Sequence, residues 1–365
     1  MTRSTSTAQP MSPSSVPAGE RVEAPTVSVV VCAYTEQRWD DLSAAIASVR
    51  AQTRPAHELI VVVDHNDRLL ARVRRAFPDV SAVENGERRG LSGARNTGTA
   101  LATGDVVAFL DDDAAAEPDW LDRLLAPYSD ERVIGVGGTV EPVWSGPRPR
   151  SFPDEFMWVV GCSYRGLPVD TSPVRNLIGA NMSYRRRALE ELGGFHGALG
   201  RVGTTPMGCE ETELCVRAAH RWPDSVVVYE PRAMVRHRVP RSRARWSYFR
   251  ARCYGEGLSK AEVVRLAGSV LGLASERSYT FRTLPRGVVR EVTGAVTARD
   301  PAGVLRATGI ALGLLYTSAG YVAGGGLRRG GAGVGSVSTG AGDVRVDTLP
   351  TAAAAEWESG IRHVG

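Results

Sequence analysis

The 365-residue chain is short of cysteine and carries no strong charge of one sign. Its five cysteines, Cys32, Cys162, Cys209, Cys215 and Cys253, form no CxxC pair and are odd in number. That argues against a disulfide framework and suits a reducing compartment. Cys209, Cys215 and His220 match none of the usual zinc spacings, so no structural zinc is expected there. A formal net charge of +4, with 43% hydrophobic and 23% charged residues, is ordinary for a soluble globular protein, and composition alone names no partner. Residues 1–25 are rich in Ser, Thr, Pro and Ala and lack the apolar run of a secretory signal. They read as a disordered tail, and the rest of the chain is expected in the cytoplasm. Residues 328–365 belong to a glycine-rich stretch that cannot bury enough side chain to fold alone, and they read as a second tail.

Between the tails the sequence changes character. VSVVVCAY, from Val27, is a short apolar run with β-branched residues, the signature of a strand buried on both faces. A helix follows in which Leu42, Ala45, Ile46 and Val49 share one face. ELIVVVD is a second buried strand, Leu69, Leu70, Val73, Ala76 and Phe77 make a second helical face, and SAVEN is another strand. A helix over Ser92 to Ala102 leads into the strand DVVAFLDDD. This alternation implies right-handed βαβ units and a sheet covered on both sides. Ligands of such sheets bind beyond the carboxyl ends of the strands, where Tyr34, Asp64 and Asp111 to Asp113 fall. The irregular stretch Glu141 to Phe195 reads as a second region packed on the sheet. GCEETELCVRAAHRW then places Glu210, Glu211 and Glu213 at a helix start, where the positive helix end favours acids, and SVVVYEPRAMVRHRV returns to extended structure.

Three adjacent carboxylates repel one another, so the end of GDVVAFLDDD calls for positive charge. On an extended segment Asp111 and Asp113 point to one side and Asp112 to the other. Two hard oxygen ligands side by side suit Mg2+ or Mn2+ that also holds a diphosphate; a helix cap or a solvated turn is the alternative use of the same residues. Asp64 ends a neighbouring strand. NGERRGLSGARNTG sets Arg88, Arg89 and Arg95 among glycines that permit close backbone approach, a candidate cradle for diphosphate oxygens.

Taken in order, AYTE, ELIVVVD, GLSGARNTG, FLDDD and GCEETEL resemble the family-2 glycosyltransferases of GT-A fold, across Val27 to His237. The resemblance implies an α/β fold, a Rossmann-like doubly wound mixed sheet over residues 26–237, followed by a basic helical extension over 238–327. It implies an inverting, metal-dependent sugar transfer from a nucleotide sugar, with UDP the expected nucleotide and a hydroxyl as acceptor. Tyr34 and Asp64 resemble the residues that hold the uracil, with Glu36 close by; Arg95 resembles the basic residue on the ribose and diphosphate side, and Asp112 belongs to the same donor-binding set. Asp111 and Asp113 match the metal-holding DXD pair, with Mg2+ or Mn2+ as the implied cofactor. Glu211 falls at the general-base position, and because Asp is commoner there, Glu210 stays open as the alternative. VDHND and RCYGEGLSKA resemble transferases that add glucuronate to glucosyl-dolichyl or polyprenyl phosphate, so a glycan or lipid-linked sugar is the expected acceptor.

Seven arginines lie between Arg236 and Arg252, interleaved with Trp246, Tyr248 and Phe249. Such a mixture also occurs in nucleic-acid binders. Following the acidic helix directly, it reads instead as a surface for phosphate of donor or lipid acceptor, and no nucleic-acid partner is expected. Residues 307–327 are uncharged over 21 positions, enough to cross a bilayer, yet their Gly and Ala content equally suits a buried or interfacial helix. An anionic membrane surface is therefore an expected partner, with the protein peripheral at the inner face of the cell membrane. A nucleotidyltransferase would open with a glycine-rich basic loop after its first strand, which AYTEQRWDD is not. A non-catalytic nucleotide- or membrane-binding module is the other reading, and it would leave the carboxylates at 64, 111, 113 and 211 without a shared purpose.

Overall fold

The computed structural model describes residues 25–201, 208–267 and 278–329; apart from Pro25, Arg328 and Arg329, the two expected tails lie outside these. In chain order the elements are β1 (Val27–Ala33), α1 (Trp39–Arg50), β2 (Glu58–Val63), α2 (Asp67–Ala76), β3 (Ser81–Glu84), α3 (Leu91–Leu101), β4 (Val106–Asp111), β5 (Ala114–Ala116) and α4 (Trp120–Leu125). There follow β6 (Val133–Trp144), β7 (Ser172–Val174), β8 (Asn181–Arg185), α5 (Arg186–Leu192), α6 (Glu210–Arg221), β9 (Val226–Val239), α7 (Trp246–Ala267), α8 (Leu284–Thr297) and α9 (Ala302–Arg329).

One sheet runs β3-β2-β1-β4-β8-β6-β9-β5, with β7 also paired to β9. The first four strands are parallel, as βαβ units require. β8 then enters antiparallel between β4 and β6, while β6 and β9 run parallel to each other. The sheet is mixed, as the family resemblance implies. Alternation along each strand fills two cores. Val29, Val31, Val61, Val63, Ala108 and Leu110 face α1, α2 and α4, whereas Val30, Ile60, Val62, Val107 and Phe109 face α3, α5 and α6. Each large apolar side chain fully buried there contributes about 1.5–3 kcal/mol.

Two devices fix the strand ends against the helices. Gly90, at φ +130°, turns the chain into α3 in a conformation an L side chain rarely adopts. Asn181, fully buried at the start of β8, donates to the carbonyls of Thr139 on β6 and Ala233 on β9 and accepts from the indole of Trp120 on α4. A buried amide so satisfied pins the antiparallel strand in register.

The basic extension is helical, as expected. Phe249 of α7 stacks on Trp246 at 4.5 Å and meets Phe152 and Phe156. α9 lies on α7 where Gly257 and Gly320 let the backbones touch; a Cβ at either position would come within 2.1 Å of a carbonyl oxygen, of Thr317 or Tyr254 respectively. Ala302–Gly325 is long and apolar enough to cross a membrane by length and composition, and 33% of its most apolar window is buried.

Candidate active site

A cavity of about 830 Å3 opens at the carboxyl ends of β1, β2 and β4. Tyr34, Asp64 and Asp111 line it from the sheet, and the start of α6 and one face of α7 form the opposite wall. The parallel strands thus deliver Tyr34, Asp64 and Asp111 to one place, as the topology requires.

Asp111 closes β4, and Asp112 and Asp113 form the turn after it. Asp111 and Asp113 come together with His237 of β9, their ligand atoms all within 4.8 Å of one another. Two carboxylates and an imidazole so placed fit a divalent ion such as Mn2+. His237 Nε2 lies 3.1 Å from Asp113 Oδ1, and its Nδ1 lies 3.6 Å from the Cys162 thiol. Burial works against a charge on His237, but Asp113 outweighs it and pushes the imidazole up to about 10. A metal there would take the place of that proton. Asp113 itself is buried; His237, then Arg38 and Arg243, overcome the burial and hold its carboxyl far below the usual range.

Asp112 lies outside this trio; the segment is a turn and not extended at this point, and Arg38 Nη1 donates to Asp112 Oδ1 at 2.6 Å while lying 3.1 Å from Asp113 Oδ2. Burial pushes the Asp112 carboxyl up to about 7 against the pull of Arg38, with the charge of Asp113 adding to the rise. Its Oδ2 is buried with no hydrogen-bond partner among the described residues. Arg38 and Arg243, together with Arg95 at 3.7 Å from Asp111, supply the positive charge that three adjacent acids call for.

Arg95 is 1% exposed, and its Nη1 donates to Glu210 Oε1 at 2.7 Å while Nη2 donates to the Gly179 carbonyl at 3.0 Å. Its cation is therefore committed to Glu210, although it lines the cavity. Glu211, one residue further along α6, is half-buried in the cavity wall. Burial first and the Glu210 charge second raise its carboxyl well above the usual range. A carboxylate so raised is a better proton acceptor near neutral pH. Glu210 and Glu211 thus differ in what they touch: one holds an arginine, and the other lines the cavity with no ion pair among the described residues.

Asp64 lines the cavity with both oxygens engaged, Oδ1 accepting from Asn85 and Oδ2 from the Gly90 amide. Tyr34 is 39% exposed beside it, with the Arg38 guanidinium 5.3 Å from its ring. Glu36 is exposed on the short turn after β1 and does not line the cavity, and neither do Arg88 and Arg89 of the expected cradle. Cys209, Cys215 and His220 diverge: the first thiol donates to Glu256, the second meets the Tyr184 hydroxyl, and His220 is exposed.

The arginine-rich segment is not one patch. Arg236 pairs with Glu117 and Arg238 with Asp41, whereas Arg243 and Arg252 are buried in the cavity wall. Sequence reasoning missed His237, Arg38 and Arg243 as members of the site. The one available signal was the alternation in VRHRV, which turns His237 inward between two outward arginines.

Fold and site define a transferase of activated sugars, and the comparisons agree. Residues 28–193 match Glycosyl transferase family 2. The chain is 40% identical over 238 residues to the glucosyl-dolichyl phosphate glucuronosyltransferase of Haloferax volcanii, covering 64% of this chain and 76% of that protein. It is 29% identical over 163 residues to the pre-mycofactocin glycosyltransferase of Mycobacterium tuberculosis, 44% of this chain and 33% of that one. Among solved structures, a mannosyltransferase from Pyrobaculum calidifontis in complex with GDP-Man and Mn2+ shares the fold, with a TM-score of 0.51 and 21% identity over 84% of this chain and 87% of that one. The chain belongs to glycosyl transferase family 2 and is a glycosyltransferase.

Proposed function

We propose that the protein transfers a sugar, with inversion, from a UDP-sugar to a hydroxyl of a glycan or of a polyprenyl-phosphate-linked sugar. The observation that carries this reading is the presence, in the lining of one cavity, of a divalent-metal donor set at Asp111, Asp113 and His237 and of a half-buried carboxylate, Glu211, that pairs with no cation among the described residues. Tyr34 and Asp64, which line the cavity, would hold the nucleobase, and the Arg38 pair with Asp112 would stiffen the metal-bearing turn. A bound Mg2+ or Mn2+ would neutralise negative charge on the departing diphosphate.

Glu211 accepts the proton of the attacking hydroxyl, and Glu210 with Arg95 holds the start of α6 so that Glu211 faces the acceptor. Inversion would require the acceptor hydroxyl, with Glu211 beside it, to attack the anomeric carbon from the face opposite the leaving diphosphate. The similar Haloferax protein is named for a dolichyl-phosphate-linked sugar and glucuronate, which supports glucuronate as the transferred sugar and a lipid-linked sugar as acceptor. It also supports action at a membrane holding such a lipid; a cytoplasmic position at the inner face is part of the proposal.

Incubation with a panel of UDP- and GDP-sugars and Mn2+, reading slow donor hydrolysis, tests the assignment. Hydrolysis confined to UDP-sugars supports it; no turnover of any donor, with no thermal stabilisation by UDP and Mn2+, would end it.

A further inference from the structure

Several cations of the cavity are already committed: Arg38 to Asp112, Arg95 to Glu210 and Arg252 to Glu256. Arg201 is different. It precedes α6 and lines the cavity, and its backbone is fixed where its carbonyl accepts from the Leu91 amide at 2.9 Å. Among the described residues its guanidinium makes no hydrogen bond or ion pair, and it lies within electrostatic reach of Tyr248, Asp111, Asp113 and Glu210. The Tyr248 hydroxyl of α7 also lines the cavity and likewise has no hydrogen-bond partner among the described residues.

At the Tyr248 hydroxyl the surrounding charge is positive, and Arg201 is its largest source. Burial alone would push the Tyr248 phenol up, but Arg201 first, then Arg243 and Arg252, outweigh it and hold the phenol below the ordinary tyrosine range. An arginine fork and a hydroxyl, both half-buried in the cavity wall, are donors without an acceptor among the described residues. A cationic fork and a hydroxyl in the lining of one cavity suit an oxyanion, for which charge-assisted hydrogen bonds are the strong kind. A sugar hydroxyl would leave the arginine's charge unanswered.

We propose that Arg201 and Tyr248 form an oxyanion subsite, separate from the metal trio, that binds a phosphate of the substrates. The proposal rests on the nucleotide-sugar reading for the identity of its ligand. Two phosphates can supply the chemistry: the donor's diphosphate, reached from the Asp111 and Asp113 side, and the acceptor's lipid phosphate, reached from the α7 side.

Calorimetry on the full chain separates them, with two probes, UDP in the presence of Mn2+ and farnesyl phosphate. Arg201→Gln should weaken one probe by about 10- to 100-fold, the usual worth of a hydrogen bond to a charged group. Arg201→Lys should lie between, since it keeps the charge and loses the fork, and Tyr248→Phe should show a smaller loss on the same probe. A loss confined to UDP assigns the subsite to the donor, and a loss confined to farnesyl phosphate assigns it to the acceptor. If wild type binds UDP and Arg201→Gln, folded by its melting temperature, binds both probes equally well, the subsite is overturned while the nucleotide-sugar reading stands. If wild type binds neither probe, both the nucleotide-sugar reading and the subsite built on it fall.

Discussion

Replacing Arg95 with methionine removes the cation from a pair that is almost wholly buried, with side-chain exposures of 2% and 6% for Arg95 and Glu210. Methionine keeps much of the volume between Phe109 and Phe195, against whose rings the guanidinium lies at 5.9 and 5.4 Å. Packing is then largely conserved and the change is mainly electrostatic. It strands the Glu210 carboxylate, which loses its 2.7 Å donor while its other oxygen is already without a partner among the described residues. It also strands the Gly179 carbonyl. Breaking a buried pair by removing one partner costs about 3–5 kcal/mol, which for a domain of this size lowers Tm by roughly 6–20 °C. The sign with pH follows. A carboxylate buried without its cation binds a proton more readily folded than unfolded, so the variant's deficit is smallest in acid and grows as pH rises. Adding Glu210→Gln should recover part of the loss. Scanning calorimetry from pH 5 to 8 is the assay. A loss under 1 kcal/mol, or a deficit that shrinks as pH rises, would refute the pair as the anchor of α6.

The remaining expectations are narrower. His237→Ala should weaken Mn2+-dependent UDP binding by about 10-fold or more, and wild-type metal uptake at pH 7.5 should release about one proton because His237 holds one in its absence; calorimetry in two buffers of different ionisation enthalpy reads both, and no proton release would remove His237 from the ligand set. Since Glu211 must be deprotonated to act and its carboxyl is raised, turnover should climb with pH through a limb above the ordinary carboxylate range, and Glu210→Gln should shift that limb downward by removing a neighbouring charge; an unmoved limb in the kcat profile would contradict the coupling. The uncharged stretch from Ala307 and its exposed Leu315 and Val322 should bring the protein down with anionic liposomes, less so in high salt if the flanking arginines contribute; absence from the lipid pellet at low salt would reject membrane association.

Much of the sheet and of the donor side could be read from the sequence, because both depend on local pattern. VSVVVCA, ELIVVV and VVAFLD are apolar enough to announce strands buried on both faces, and each ends at a polar residue that lines the cavity. The inserted antiparallel β8 was not legible, since NMSYR has no pattern of its own and is held by the buried Asn181. His237 was missed for a related reason: only the pairing of β9 with β5 and β6 brings it beside Asp113, and nothing in the spacing of the two residues announces that. The arginines from 236 to 252 read as one basic surface because charge shows in a sequence while direction does not. The folded chain sends Arg236 and Arg238 outward to acids and Arg243 and Arg252 inward. For the same reason the adjacent acids Glu210 and Glu211 could not be told apart until Arg95, 115 positions away, was seen to hold the first.

The central claim is that one carboxylate does the proton transfer while another group of residues holds the donor. Glu211→Gln keeps the shape and hydrogen bonding of the side chain and removes its basicity. Measured side by side in this variant, sugar transfer should fall by roughly 10²–10⁴-fold, the usual worth of general-base catalysis, with the Kd for UDP and Mn2+ unchanged. Transfer near the wild-type rate, or loss of UDP binding together with activity, would contradict it.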